Sequence, residues 1–201
     1  MGEYIENFKD CLPDIKKVKE IKKDLESKGV KYIYSNWIDF LGSPKTKPMP
    51  ISDFEDLCAG KGPQFAVHSV SFVPELTPAD NDQIPVPDLD SLVICPWDKT
   101  CAWVFADLWW NDKPYDVCPR QTLKKQIYKN SQADLKFYVG IEPEFFVMKW
   151  EDGKPVKAID NDPIPLRRQA FGYDAEYSID GMNFLKEIID ILNNDLHWDL
   201  H

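Results

Sequence analysis

VKYIYSNWIDF, residues 30–40, is rich in β-branched and aromatic side chains and reads as a strand. Before it, DIKKVKEIKKDLESK (14–28) sets Ile15, Val18, Ile21 and Leu25 at helical spacing among lysines and glutamates. Asp14 or Pro13 starts this helix and Gly29 ends it. After the strand, LGSPKTKPMP reads as a turn and a return segment, and 52–59 as a short helix. Glycines and prolines then break the chain as far as Asp90, which predicts a long surface loop over PELTPADNDQIPVPD. SLVICPW (91–97) and CAWVFADLWW (101–110) are further strands, and 101–110 is expected in one sheet with 30–40.

The composition changes after NDKPYD (111–116). Pro119 suits a first helical turn and residues 120–129 continue it. LKFYVGIEPEFFVMKW (135–150) is the strongest strand pattern in the chain. Asp180 caps an amphipathic helix over 181–193, whose apolar stripe is Met182, Phe184, Leu185, Ile188, Ile189 and Leu192. LHWDLH (196–201) then reads as the start of a new strand.

Bulk properties narrow the function. Of 201 residues, 43% are hydrophobic and 29% charged, as in a globular protein. A net charge of -10, from 34 acidic and 24 basic residues, argues against a nucleic-acid or anionic-membrane surface. Acidic proteins still bind phosphates through cations held by their own carboxylates. No run approaches the ~18 apolar residues of a membrane span, and the polar N-terminus, with Glu3, Glu6 and Asp10, is unlike a signal peptide. Cys11, Cys58, Cys95, Cys101 and Cys118 are odd in number, scattered and without CxxC spacing, which suits reduced thiols in a cytoplasmic protein. His68, His197 and His201 offer little for a histidine-based metal or nucleophile site.

The sharpest chemical signal is GIEPEFF (140–146). On a strand, Glu142 and Glu144 share one face with Cα atoms roughly 6.5–7 Å apart, while Ile141, Phe145 and Val147 take the other. Two carboxylates together need a neutralising partner, and Mg²⁺ or Mn²⁺ supplies one; a solvated strand face is the other reading. Asp39, ending a strand before Leu41-Gly42 with Phe40 between, reads as a turn residue. Trp97, Trp103, Trp109 and Trp110 fit either a stacking surface or a packed core. Arg120, Arg167 and Arg168 fit either phosphate binding or surface salt bridges.

GIEPEFF, preceded by ProTrpAspLysThrCysAlaTrpValPheAlaAsp and by NDKPYDVCPRQTLKKQI, resembles the glutamine synthetase superfamily. VKYIYSNWIDFLGSPKTKPMP resembles that family's N-terminal β-grasp strand pair, and FGYDAEYSIDGMNFLKEIIDIL the helix leading into its next barrel strand. The resemblance runs in one order from about Lys31 to His201. It implies an α+β fold, with a β-grasp-like domain over 1–112 and the beginning of a glutamine-synthetase-type α/β catalytic domain over 113–201.

The resemblance also implies an activity. Such enzymes use ATP to convert the γ-carboxylate of L-glutamate to γ-glutamyl phosphate, which ammonia or another amine attacks. Glu142 and Glu144 fall on the first two metal-ligating glutamates, for Mg²⁺ or Mn²⁺, and Asp39 on the β-grasp aspartate that handles the ammonium across a subunit boundary. A ring-like homo-oligomer, often dodecameric, follows. The PWDKT stretch and the NDKPYD turn resemble the branch that uses methylamine or polyamines. The family's other metal ligands and its substrate-binding arginines lie beyond residue 201, so the expectation is a catalytically incomplete fragment. The alternative is a non-catalytic scaffold of the same ancestry.

Overall fold

The computed structural model describes residues 4–71, 75–158 and 182–198, and the chain divides into two units, Met1–Phe137 and Tyr138–His201. In the first unit, α1 (Phe8–Cys11) precedes α2 (Ile15–Ser27). The Asp14 carboxylate accepts hydrogen bonds from the Lys16 and Lys17 amides, which have no partner within the helix. Gly29 follows the helix at φ +86°, a left-handed conformation that suits a residue without a Cβ. Next come β1 (Tyr32–Ile38), β2 (Pro44–Pro50), a 3-10 turn at Ile51–Asp53, α3 (Phe54–Cys58), β3 (Phe65–Ala66) and α4 (Val67–Ser71). Then follow β4 (Asp82–Pro87), β5 (Val93–Ile94), β6 (Cys101–Trp110), β7 (Lys113–Pro114) and α5 (Pro119–Gln132).

The strands make a mixed sheet in the order β2-β1-β6-β4-β3, with β5 and β7 also on β6. β1 lies antiparallel to β2, from Tyr32 opposite Pro50 to Ile38 opposite Pro44. It lies parallel to β6, from Tyr32 opposite Cys101 to Asn36 opposite Phe105, so 30–40 and 101–110 share a sheet. One face of this sheet is dry. Ile33, Met49, Ala102 and Val104 pack with Val18 and Leu25 of α2 and with Phe54, Leu57 and Cys58 of α3. Ile15, read from its spacing as part of the helix stripe, is instead half exposed at the first turn. A second cluster joins Trp37, Val67, Leu108, Tyr115 and Cys118.

The surface loop expected after Glu75 is corrected by β4, whose Ile84–Pro87 pair with Trp109–Ala106. Prolines are tolerated in this strand because of parity. The Asp88 amide donates to the Phe105 carbonyl, so alternate residues 86 and 84 also face β6, while Pro85 and Pro87 turn their nitrogens away. On that other side β3 pairs with Asp82 and Gln83 alone, ahead of both prolines.

The second unit holds a hairpin of β8 (Met148–Glu151) and β9 (Lys154–Lys157), then α6 (Met182–Asp190), continued by a π-helical turn at Ile191–Asp195. Asp152 and Gly153 close the hairpin with φ +49° and +75°, the pair of left-handed residues that a two-residue turn demands. The strand expected over 135–150 is therefore corrected to its last residues. Residues 135–147 carry no strand ladder among the described residues. Periodicity makes a segment compatible with a sheet, but the ladder itself needs a neighbouring strand. Likewise, Leu196–Trp198 form no strand, and Asp180, Arg167, Arg168 and residues 199–201 lie outside the described residues.

Ile33 is fully buried between α2 and the sheet, so Ile33→Ala should destabilise the chain by about 2–5 kcal/mol. Urea unfolding checks this, through a lowered midpoint at unchanged slope; a loss under ~1 kcal/mol would contradict the packing.

Candidate functional site

Asp39 sits where β1 ends and the chain turns into β2, and it is buried at 4% exposure. The turn is built around its carboxylate. Oδ1 accepts from the Leu41 amide at 2.9 Å and the Ser43 amide at 2.8 Å, and the main chain closes with Asp39 N–H to Ser43 O at 3.0 Å. Gly42 takes φ +83° to complete the turn. Oδ2 is left to the Lys45 ammonium, 3.3 Å away, an ion pair without the alignment of a hydrogen bond. Burial alone would raise the Asp39 pKa, but the Ser43 amide, Lys45 and the Leu41 amide outweigh it and hold the carboxyl below its ordinary value.

A small void of about 10 Å³ adjoins Asp39, lined among others by Trp37, Leu108 and Tyr115. Trp37 stacks on Phe65 with centroids 4.1 Å apart and planes within 6°. The Trp37 indole N–H and the Tyr115 hydroxyl, both buried, have no hydrogen-bond partner among the described residues. Polar groups thus gather around the end of β1. The turn role of Asp39 was legible in its sequence context; Lys45, Trp37 and Tyr115 carried no comparable signal.

Glu142 and Glu144 belong to the second unit and are exposed. Neither makes an ion pair among the described residues, and no group of three or more His, Cys, Asp or Glu there is arranged to hold a metal. As oxygen donors the two carboxylates match a hard divalent cation in type. They fall short of the six oxygens of an octahedral shell, so water, phosphate or other residues would have to supply the rest.

Arg120 resolves as a salt-bridging residue. At the start of α5 it reaches Asp107 of β6 at 3.1 Å and Asp88, just after β4, at 2.6 Å, with its guanidinium 5.6 Å from the Phe105 ring centre. Lys124, one turn along, contacts the same two carboxylates. Two cations and two anions thereby fasten α5 to the sheet, although Leu123 and Ile127 remain exposed. Of the tryptophans, Trp109 is core, while Trp97 and Trp103 are exposed and meet edge to face at 4.9 Å. No helix among the described residues is long and apolar enough to cross a membrane.

Residues 116–197 match the family described as glutamine synthetase, catalytic domain. The chain belongs to the glutamine synthetase superfamily. It is 32% identical over 165 residues to the glutamine synthetase of Rhizobium meliloti (strain 1021), covering 82% of this chain and 36% of that protein. It is 30% identical over 147 residues to the glutamate–methylamine ligase of Methyloversatilis universalis, covering 72% of this chain and 33% of that protein. The chain therefore spans about a third of the length of these relatives. The structure of GmaS without ligand superposes with a TM-score of 0.68 at 22% identity, covering 90% of this chain and 41% of GmaS. That likeness shows a shared mixed α/β fold.

The lowered Asp39 pKa has a consequence for stability. A depressed folded-state value contributes stability that is fully present above the unfolded pKa and lost as pH falls through the folded one. The difference between the native chain and Asp39→Asn should be constant above about pH 5 and close as pH drops below 3.8. Urea unfolding at stepped pH checks it; a gap that widens in acid would contradict the assignment.

Proposed function

We propose that this chain is the N-terminal part of an ATP-dependent ligase that joins ammonia or a small amine to the γ-carboxylate of L-glutamate through γ-glutamyl phosphate. The observation that carries this reading is the match of residues 116–197 to the glutamine synthetase catalytic domain, continuous with aligned relatives that include both a glutamine synthetase and a glutamate–methylamine ligase. The domain reading is a β-grasp-like domain over 1–112 and the start of the catalytic domain over 113–201. Supporting it are the helix α2 laid across the sheet of β1, β2 and β6, and a family match that begins at residue 116. The complete protein works as a cytoplasmic ring-like homo-oligomer, by the same resemblance.

Within this reading Glu142 and Glu144 hold Mg²⁺ or Mn²⁺. The cation supplies charge neutralisation at the transferring phosphoryl group of ATP. Asp39 acts at the amine. Both amide bonds of its turn fall on Oδ1, and the buried Oδ2 already faces one cationic nitrogen, the Lys45 ammonium, which shows the kind of group this oxygen suits. A carboxylate with a lowered pKa stays anionic at neutral pH and is a weak proton acceptor. Asp39 therefore suits holding and orienting an ammonium better than deprotonating it.

In the full-length protein, Glu144→Ala should remove most Mg²⁺- or Mn²⁺-dependent turnover, on the order of 10²-fold or more, and weaken Mn²⁺ binding measured by titration calorimetry. Asp39→Ala should raise the KM for the amine while leaving ATP binding intact. Unchanged metal affinity in the first variant, or normal amine kinetics in the second, would refute the respective role. The 201-residue chain alone should not catalyse amine-dependent phosphate release from ATP and glutamate. Release well above a Glu142→Ala/Glu144→Ala double variant would overturn that.

A further inference from the structure

We infer that Cys95 and Cys101 are a cross-strand thiol pair that closes to an intramolecular disulfide in exchange with glutathione disulfide. The ladder of β5 and β6 sets Val93 opposite Trp103 and Ile94 opposite Ala102. One further step sets Cys95 opposite Cys101, and the Cys95 amide donates to the Cys101 carbonyl at 2.9 Å. Residues directly opposed in an antiparallel pair project from the same face, with Cα atoms about 4.5–5.5 Å apart. A disulfide spans Cα separations of about 4.4–6.8 Å, so the backbone already presents a bridgeable pair.

The connection between them, residues 96–100, is itself folded. The Cys101 amide donates to the Asp98 carbonyl at 3.0 Å, and the Thr100 amide to the Asp98 carboxylate at 3.0 Å. The Cys101 thiol donates to the other Asp98 oxygen at 3.2 Å. Tyr34 of β1 faces the pair as well, through Cys101. The remaining thiols lie elsewhere: Cys11 in α1, Cys58 in α3 and Cys118 at the start of α5.

The chemistry balances without a metal. The Cys101 thiol, slightly the more exposed, loses its proton and attacks one sulfur of glutathione disulfide. A Cys101–glutathione bond forms, the glutathione S–S bond breaks, and the first glutathione leaves and takes up a proton. The Cys95 thiolate then attacks the Cys101 sulfur, forming the Cys95–Cys101 bond and releasing the second glutathione. Two protein thiols are oxidised and one glutathione disulfide is reduced to two thiols. Both cysteines are buried, at 1% and 7% exposure, and burial, with their mutual repulsion and Asp98, pushes Cys95 up to about 11. Thiolate is therefore scarce near neutrality and exchange is slow, quickening as pH rises.

The test incubates the 201-residue chain with glutathione disulfide at pH 7, 8 and 9, quenches free thiols with an alkylating agent and cleaves before aspartates. This puts the two cysteines on separate peptides, 90–97 and 98–106. The expected product is these two peptides joined by a disulfide, at a rate rising about tenfold per pH unit. Cys95→Ser, a small polar replacement that keeps Cys101, should instead accumulate one stable glutathione on residue 101. Failure of the link to form, its appearance only after links to Cys11, Cys58 or Cys118, or a rate independent of pH would each overturn the proposal.

Discussion

The parallel pairing of β1 with β6 is the interaction on which the rest of the first unit depends. Parallel neighbours cannot be joined by a tight turn, so the chain between Ile38 and Cys101 must leave the sheet edge and return. That excursion supplies β2 on the far side of β1, then α3 and the strands β4 and β5, which lie against β6. Once Ile33 and Val104 face the same way, α2 has an apolar surface to cover, and Val18, Leu25, Phe54 and Leu57 close the core. A slip of one residue in this register would turn Tyr32 and Tyr34 inward and expose Ile33.

The same pairing decides where charge can sit. β1 ends at Ile38, so Asp39 falls at the rim of the sheet, where its amide donors are those of its own turn and its counter-ion comes from the return strand. At the start of α5 the solution differs: Arg120 and Lys124 neutralise Asp107 of β6 and Asp88, just after β4. Asp39 is held by local geometry, whereas Arg120 is held by tertiary structure. The Asp39 carboxylate thus owes its position to the amides of its own turn, and the Arg120 guanidinium to residues far away in sequence.

What the sequence revealed follows the same division between local and distant causes. The α2 boundaries were legible because Asp14 and Gly29 act on adjacent residues, and β6 because ten consecutive residues favour a strand. The strand at 82–87 was hidden behind Pro85 and Pro87, whose tolerance depends on which neighbour each nitrogen faces, a fact of pairing and not of sequence. The segment around Glu142 and Glu144 misled in the opposite sense. Its pattern suits a strand, yet pairing begins only at Met148, where the Asp152-Gly153 turn brings β9 alongside. That Asp-Gly pair was itself a readable hairpin signal. Of the candidate site, the identity of Asp39 as a turn residue was visible, while Lys45, Trp37 and Tyr115 around it were not.

Backbone amide hydrogen exchange in this chain tests the account most directly. If the β1–β6 pairing is the constraint that organises the first unit, the paired amides of 32–36 and 101–105 should exchange together, with an opening free energy equal to that of global unfolding. The amides of 139–146, outside any ladder, should exchange at close to unprotected rates. Early exchange of β1 while β6 stays protected, or strong protection across 139–146, would contradict it.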